Sequence, residues 1–240
     1  DSNRINDYWF KTGTPTYLIR LLNHTQENLN ELTGKYYDPS EFIDYKADVE
    51  KPLPMIFQSG YLTIKECNIR HNTFLLDFPN NEVRKGFVTL VANNYLQTKD
   101  SSSWTLDVVV ALETADLDRF RKLLTSFLAD IPYSMRRKET ERERERYFHY
   151  TFYLLMRMVS CYTVYTEKQQ SEGRVDCIVE VPDYIYIFEF KLDGTAAEAL
   201  AQINDKGYAK PYEADPRPLY KIGVSFSSET GTVSDWAVEE

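Results

Sequence analysis

Residues 173–192 read Gly-Arg-Val-Asp-Cys-Ile-Val-Glu-Val-Pro-Asp-Tyr-Ile-Tyr-Ile-Phe-Glu-Phe-Lys-Leu, and this stretch decides the fold. Arg174 to Val181 has the β-branched content of a strand, Pro182-Asp183 is turn chemistry, and Tyr184 to Leu192 is a second strand rich in Ile and aromatics. Side chains alternate along a strand, so Glu189 and Lys191 share a face with Ile185 and Ile187. Tyr184, Tyr186, Phe188 and Phe190 point the other way. If Val181 pairs with Tyr184 across the turn, the register sets Asp176 opposite Glu189. Like charges directly opposite one another destabilise a sheet, and an unpaired buried charge costs several kcal/mol. Lys191 can neutralise one of the two carboxylates; a divalent cation could take both. Oxygen donors of this kind suit Mg²⁺ or Mn²⁺, not zinc.

A helix is expected directly downstream. Asp193-Gly194 turns the chain, and Thr195 followed by Glu198 has the spacing of a capping box. Leu200 and Ile203 supply its apolar face, Gln202 lies beside Ile203, and Gly207 can end it. Leu219 to Phe226 then reads as a further strand. Upstream, a long helix is expected from about Lys138 to Ser160. Its first half alternates acid and base, so that Glu139–Arg142, Glu141–Arg144 and Glu143–Arg146 fall at i,i+3. That is the pattern of a solvated, self-paired face. Glu145 differs, because Phe148, Phe152, Leu155 and Val159 follow on its own face, which would aim it at the edge of the core.

The rest of the chain reads more loosely. Leu117 to Leu128 is an expected helix, and Lys99-Asp100-Ser101-Ser102-Ser103 a polar break that divides residues 1–100 from 101–240. Before it come a helix near Thr16–Leu22, a second over Asp48–Phe57, strands at Tyr61–Ile64 and Phe74–Phe78, and a helix from Asn80 to Leu96. Helix, helix, hairpin, helix is compatible with a winged-helix-like unit. No basic recognition helix is visible there.

The 240 residues carry 28 Lys and Arg against 37 Asp and Glu, a net charge of −9. That balance opposes broad, non-specific attraction to nucleic acid. Apolar residues at 42% are enough for a real core, which excludes disorder as the main state. No apolar run approaches the roughly 18 residues that span a bilayer. Cys67, Cys161 and Cys177 form no CxxC pair, which fits a reducing, cytoplasmic setting. The chain starts at Asp1 without Met or an apolar leader, as expected of an excised piece of something longer.

The order helix with Glu145, strand, strand with Asp176, strand with Glu189-Phe190-Lys191, helix with Gln202, strand resembles the PD-(D/E)XK nuclease superfamily, whose restriction-endonuclease-like core is αβββαβ. More closely it resembles the nuclease-like domain at the C-terminus of bacterial AAA-ATPase-like proteins. The blocks that carry this are Gly173–Asp176, Pro182–Lys191, Ala199–Ile203 and Lys206–Ala209. Tyr8–Pro15 and Phe57–Leu62 look like the tail of the ATPase-like region. Gly34-Lys35 lacks the rest of a nucleotide-binding P-loop, so the ATPase itself is expected to be missing from this chain.

The resemblance implies an α+β and α/β architecture, a winged-helix-like unit followed by the αβββαβ core. It implies Mg²⁺ or Mn²⁺ held by Asp176, Glu189 and the backbone carbonyl of Phe190, with Glu145 as a further ligand or water anchor and Glu143 as its fallback. Lys191 would orient the attacking water and Gln202 would be an accessory polar group. The expected activity is phosphodiester hydrolysis of nucleic acid, DNA ahead of RNA, in partnership with the missing ATPase portion and away from membranes. Two rival expectations stand beside it: a silent nuclease-fold module that binds a partner, and DNA binding by the N-terminal unit.

Overall fold

The computed structural model describes residues 18, 21–22, 32–43, 51–96, 102–132, 140–159, 163–170 and 173–240. The expectations for Tyr8–Pro15, Lys99–Ser101, Glu139 and Cys161 lie outside these residues, as does most of the helix expected at Thr16–Leu22. Of the latter, Leu18, Leu21 and Leu22 are described, helical and buried. The chain separates into two compact units, Asp1–Tyr95 and Leu96–Glu240.

The first unit contains β1 (Lys35–Tyr37), α1 (Pro39–Phe42), α2 (Leu53–Gln58), β2 (Thr63–Asn68), β3 (Thr73–Asp77) and α3 (Asn81–Leu96). Its sheet is antiparallel in the order β1-β3-β2. The core beside it is aromatic, with Phe42 edge-on to Phe57 at 4.8 Å and Tyr61 against Phe87 at 4.5 Å. Of the helix expected at Asp48–Phe57, residues 48–50 lie outside the described residues, and α2 begins at Leu53. Pro52 takes the N-cap and Pro54 lies in the first turn, where the missing N–H costs nothing. The hairpin is longer than its apolar residues suggested, because β2 runs through the polar Lys65-Glu66-Cys67-Asn68.

The second unit contains α4 (Ser102–Glu113), α5 (Leu117–Asp130), α6 (Glu141–Met158), β4 (Thr163–Gln170), β5 (Gly173–Glu180), β6 (Ile185–Leu192), α7 (Ala196–Asp205), β7 (Leu219–Phe226) and β8 (Val233–Glu239). From α6 onward the order is αβββαβ plus one closing strand. The Ser102-Ser103 end of the polar break corrects the reading above: these residues open a helix, α4, instead of a linker. Trp104 anchors it, donating Nε1–H to the Leu123 carbonyl at 3.0 Å and packing on Phe127 at 4.7 Å.

The five strands lie in the order β4-β5-β6-β7-β8, with β6–β7 parallel and the other pairs antiparallel. β6 is central, and Ile185 to Phe190 is buried without interruption, as expected of a strand covered on both faces. One face receives Phe152 from α6, 5.1 Å from Phe188 and 4.7 Å from Phe190, and Phe120 from α5, 5.9 Å from Phe188. On the other, Ile203 of α7 packs into a cluster with Val175, Ile178, Ile185 and Ile187. Each such fully buried side chain contributes about 1.5–3 kcal/mol.

Candidate active site

The β5–β6 hairpin has the register read from the sequence: Glu180↔Ile185, Val179↔Tyr186, Ile178↔Ile187 and Cys177↔Phe188, with Val181 N–H donating to the Tyr184 carbonyl at 3.0 Å. At Cys177↔Phe188 the ladder stops, although both strands continue. Residues 173–175 still pair with β4, and 189–192 still pair with β7. Between them the sheet opens, and polar side chains take over the backbone bonds.

Asp176 Oδ2 accepts the Phe190 N–H at 2.9 Å, and Glu189 Oε2 accepts the Asp176 N–H at 3.4 Å. Gln202 reaches in from α7, donating Nε2–H to Glu189 Oε1 while its Oε1 accepts from Lys191 Nζ at 2.6 Å. Four of the residues singled out from the sequence, Asp176, Glu189, Lys191 and Gln202, therefore form one connected group. Phe190 contributes through its backbone. Residues along β6 turn their N–H and C=O alternately to one neighbour and the other, so the Phe190 carbonyl faces the same side as the N–H that Asp176 holds.

Local sequence explains this placement. Thr195 caps α7, its Oγ1 accepting the Glu198 N–H at 3.1 Å and Glu198 accepting the Thr195 N–H at 2.9 Å. Asp235 of β8 accepts the Ala196 N–H at 2.9 Å. Gly223 lies opposite Glu189 in the parallel ladder. A Cβ there would stand 2.1 Å from the Ala196 carbonyl oxygen and 2.9 Å from the Leu200 nitrogen. Only glycine lets α7 lie this close to β7, and that approach brings Gln202 to Glu189.

Both carboxyls are held above the usual carboxylate range. Burial is the main cause for Asp176, opposed by His149, the Phe190 N–H, Lys191 and Arg174. For Glu189 burial comes first and the Asp176 charge second, opposed by the Asp176 N–H, Lys191 and Gln202. Such a pair is incompletely compensated as it stands, and a cation between the two would offset both the burial and the mutual repulsion of the carboxylates. The oxygens that could hold one are the Asp176 and Glu189 carboxylates and the Phe190 carbonyl. That set suits Mg²⁺ or Mn²⁺, which take one or two carboxylates and keep several waters. Among the described residues no group of three or more His, Cys, Asp or Glu side chains is placed to hold a metal, so water would have to complete the shell.

Glu145 is not brought into this group. It is exposed on the first turns of α6, where burial begins only at Tyr147. Glu143 is likewise exposed and closes the capping box on Thr140, accepting its N–H at 3.0 Å. The α6 residue that faces the site is His149, one turn beyond Glu145. Its Nδ1 lies 3.8 Å from Asp176 Oδ1, and its ring meets the edge of Phe190 at 5.3 Å. A histidine does not belong to the carboxylate pattern expected of this helix, although the i+4 spacing from Glu145 into the buried half of the helix is a usable signal for it. Tyr208, within the Lys206–Ala209 block, also lies beside this group: its hydroxyl donates to the Arg174 carbonyl at 2.9 Å.

Residues 143–236 match the model of the family described as the PD-(D/E)XK nuclease superfamily. A domain of that superfamily thus runs from α6 to β8 and includes every residue of the group. A protein of Azotobacter chroococcum mcd 1 described as "Uncharacterized protein in vnfD 5'region" is 30% identical over 237 residues, which is 97% of this chain and 46% of that protein. The chain spans about half the length of the curated relative it matches. No solved structure matches the chain. Among the described residues, no helix is long and apolar enough to cross a membrane.

Proposed function

We propose that residues 101–240 form a divalent-metal-dependent phosphodiesterase that hydrolyses nucleic acid, DNA ahead of RNA. The observation that carries this is the connected group Asp176–Glu189–Gln202–Lys191 in the opening between β5 and β6, within a segment that matches a nuclease superfamily. Asp176, Glu189 and the Phe190 carbonyl would hold Mg²⁺ or Mn²⁺. The bound ion supplies a Lewis acid for the phosphoryl oxygen and a more acidic water. Lys191 places a positive charge beside the phosphate and orients the attacking water, and Gln202 fixes the ammonium and Glu189 relative to each other. Glu145, exposed one turn before His149, is left the lesser role of anchoring water at the rim.

The acidic surface, −9 in net charge, supports a division of labour in which an AAA-ATPase-like portion outside this chain holds the nucleic acid. Residues 1–100 would then be the winged-helix-like tail of that portion; the hairpin β2–β3 followed by α3 supports this reading. The alternative is a silent nuclease-fold module that regulates the ATPase, favoured by the same charge. Incubation with plasmid and Mg²⁺ or Mn²⁺ tests the two readings. Cleavage that disappears in Asp176→Ala supports the enzyme; absence of both cleavage and Mn²⁺ binding in the wild type supports the silent module.

A further inference from the structure

We infer that Arg144 binds a phosphate of the nucleic-acid strand, next to the one attacked at Asp176 and Glu189. The inference rests on the nuclease reading of that pair and adds a group that holds the substrate's backbone. The i,i+3 spacing put Arg144 with Glu141 on a solvated face of α6. The structure turns it inward instead: of residues 141–146 it alone is half-buried, and the rest are exposed. Its Nε is buried and has no hydrogen-bond partner among the described residues, a costly state for a charged donor.

Phe148, one turn further along the same face of α6, shows where that guanidinium stands. Its ring stacks at 5.0 Å on Phe226, the last residue of β7. Phe226 lies opposite Leu192, the last residue of β6, and its carbonyl accepts the Asp193 N–H at 2.8 Å. Arg144 therefore belongs to the carboxyl ends of two parallel strands, the place where open α/β sheets receive ligands. Asp193 is its neighbour there but does not occupy it. Hydrogen bonding to Ser228, whose N–H reaches Asp193 Oδ1 at 2.8 Å, does most to hold the Asp193 carboxyl below the usual range, and the Arg144 charge adds to this. Lys191 precedes Asp193 by two residues, at most about 7 Å along the strand. Two cations are thus brought to the end of β6 on a chain of net charge −9. A guanidinium with an unused edge suits a phosphate, which it can grip through two donors at once.

Anisotropy of a fluorescein-labelled DNA duplex, titrated in EDTA at a series of NaCl concentrations, tests this without cleavage. Each phosphate neutralised on a duplex adds about 0.9 to the slope of log affinity against log salt. Arg144→Gln is expected to bind about tenfold more weakly and to lose about 0.9 from that slope. Arg144→Lys keeps the charge and should restore the slope. Arg142→Gln, exposed on the same helix, should leave it unchanged. A wild-type slope in Arg144→Gln overturns the inference, and a lower melting temperature with it would assign Arg144 to Asp193 alone. An equal loss in both Gln variants overturns it too, since any surface charge would then do the same, as does a wild type that fails to bind the duplex even at low salt. If the slope depends on Arg144 and the wild type neither binds Mn²⁺ nor cleaves plasmid, the phosphate site stands and the nuclease reading falls. If the wild type cleaves and Arg144→Gln keeps both KM and slope, the inference falls and the nuclease reading stands.

Discussion

Asp176 and Glu189 are joined through each other's strands: the backbone N–H of Asp176 donates to Glu189, and the N–H of Phe190, next to Glu189, donates to Asp176. Each carboxylate is thus fixed by the strand that carries the other. Both acids sit in a buried setting that disfavours their charged forms.

Metal binding should depend on both members of the pair. Asp176→Asn and Glu189→Gln keep shape and remove charge, and each is expected to weaken Mn²⁺ binding by more than about 100-fold, beyond the range of an outer-shell change. Titration calorimetry measures it. Chelation with EDTA should abolish nucleic-acid cleavage, and added Mn²⁺ should restore it.

The stability of the metal-free protein should fall as pH rises through neutrality. The Glu189 carboxyl is raised on folding by burial and by Asp176. Between the ordinary glutamate value of about 4.3 and the raised value, the native state holds more protons than the unfolded one. The stabilising contribution is complete below that window and is lost as pH climbs through it, at about 1.4 kcal/mol per unit of displacement. Melting temperature against pH checks this, with a flatter profile expected for Glu189→Gln.

Lys191 should matter for chemistry and not for metal capture. Its ammonium is held by Gln202 Oε1 at 2.6 Å. Lys191→Met is expected to lower the cleavage rate by about 10²–10⁴-fold. Its Mn²⁺ affinity should be kept or improved, because a positive charge near the cation is gone. A parallel loss of both would assign Lys191 to the structure of the site.

Gly223→Ala should disturb the site from behind. Its methyl would enter the space of the Ala196 carbonyl and the Leu200 nitrogen, so α7 has to move. A destabilisation of about 1–3 kcal/mol is expected from such overpacking, with Gln202 drawn away from Glu189 and the cleavage rate reduced. Denaturant unfolding and a kinetic assay on the same preparation check both.

Much of the site was legible because strand periodicity and turn chemistry are local. Pro182-Asp183 fixed the hairpin register from Glu180↔Ile185 to Cys177↔Phe188; the ladder stops one pair short of Asp176 and Glu189, which meet through side chain-to-backbone hydrogen bonds instead. Thr195 and Glu198 announced the start of α7. Other features are set by distant packing. The ladder ends at Cys177 without a local sequence signal, and Gln202 and Tyr208 reach the neighbouring residues from outside the hairpin. Glu145 followed the correct helical face, but the first turns of α6 are solvated, so the face meets the site only at His149. β1 is three residues long, and β8 alternates poorly, with Asp235 spent on capping α7. α4 hides behind a serine run and three successive valines, which are weak helix formers.

The group running from Asp176 through Gln202 comes from one unbroken stretch of chain, a hairpin and the helix that follows it. Short loops close quickly and at small entropic cost. The carboxylate pair can therefore come together while β4 and β8, the outer strands, are still unformed. A cation present during folding would meet its ligands early and act as a template for the sheet as well as a reagent.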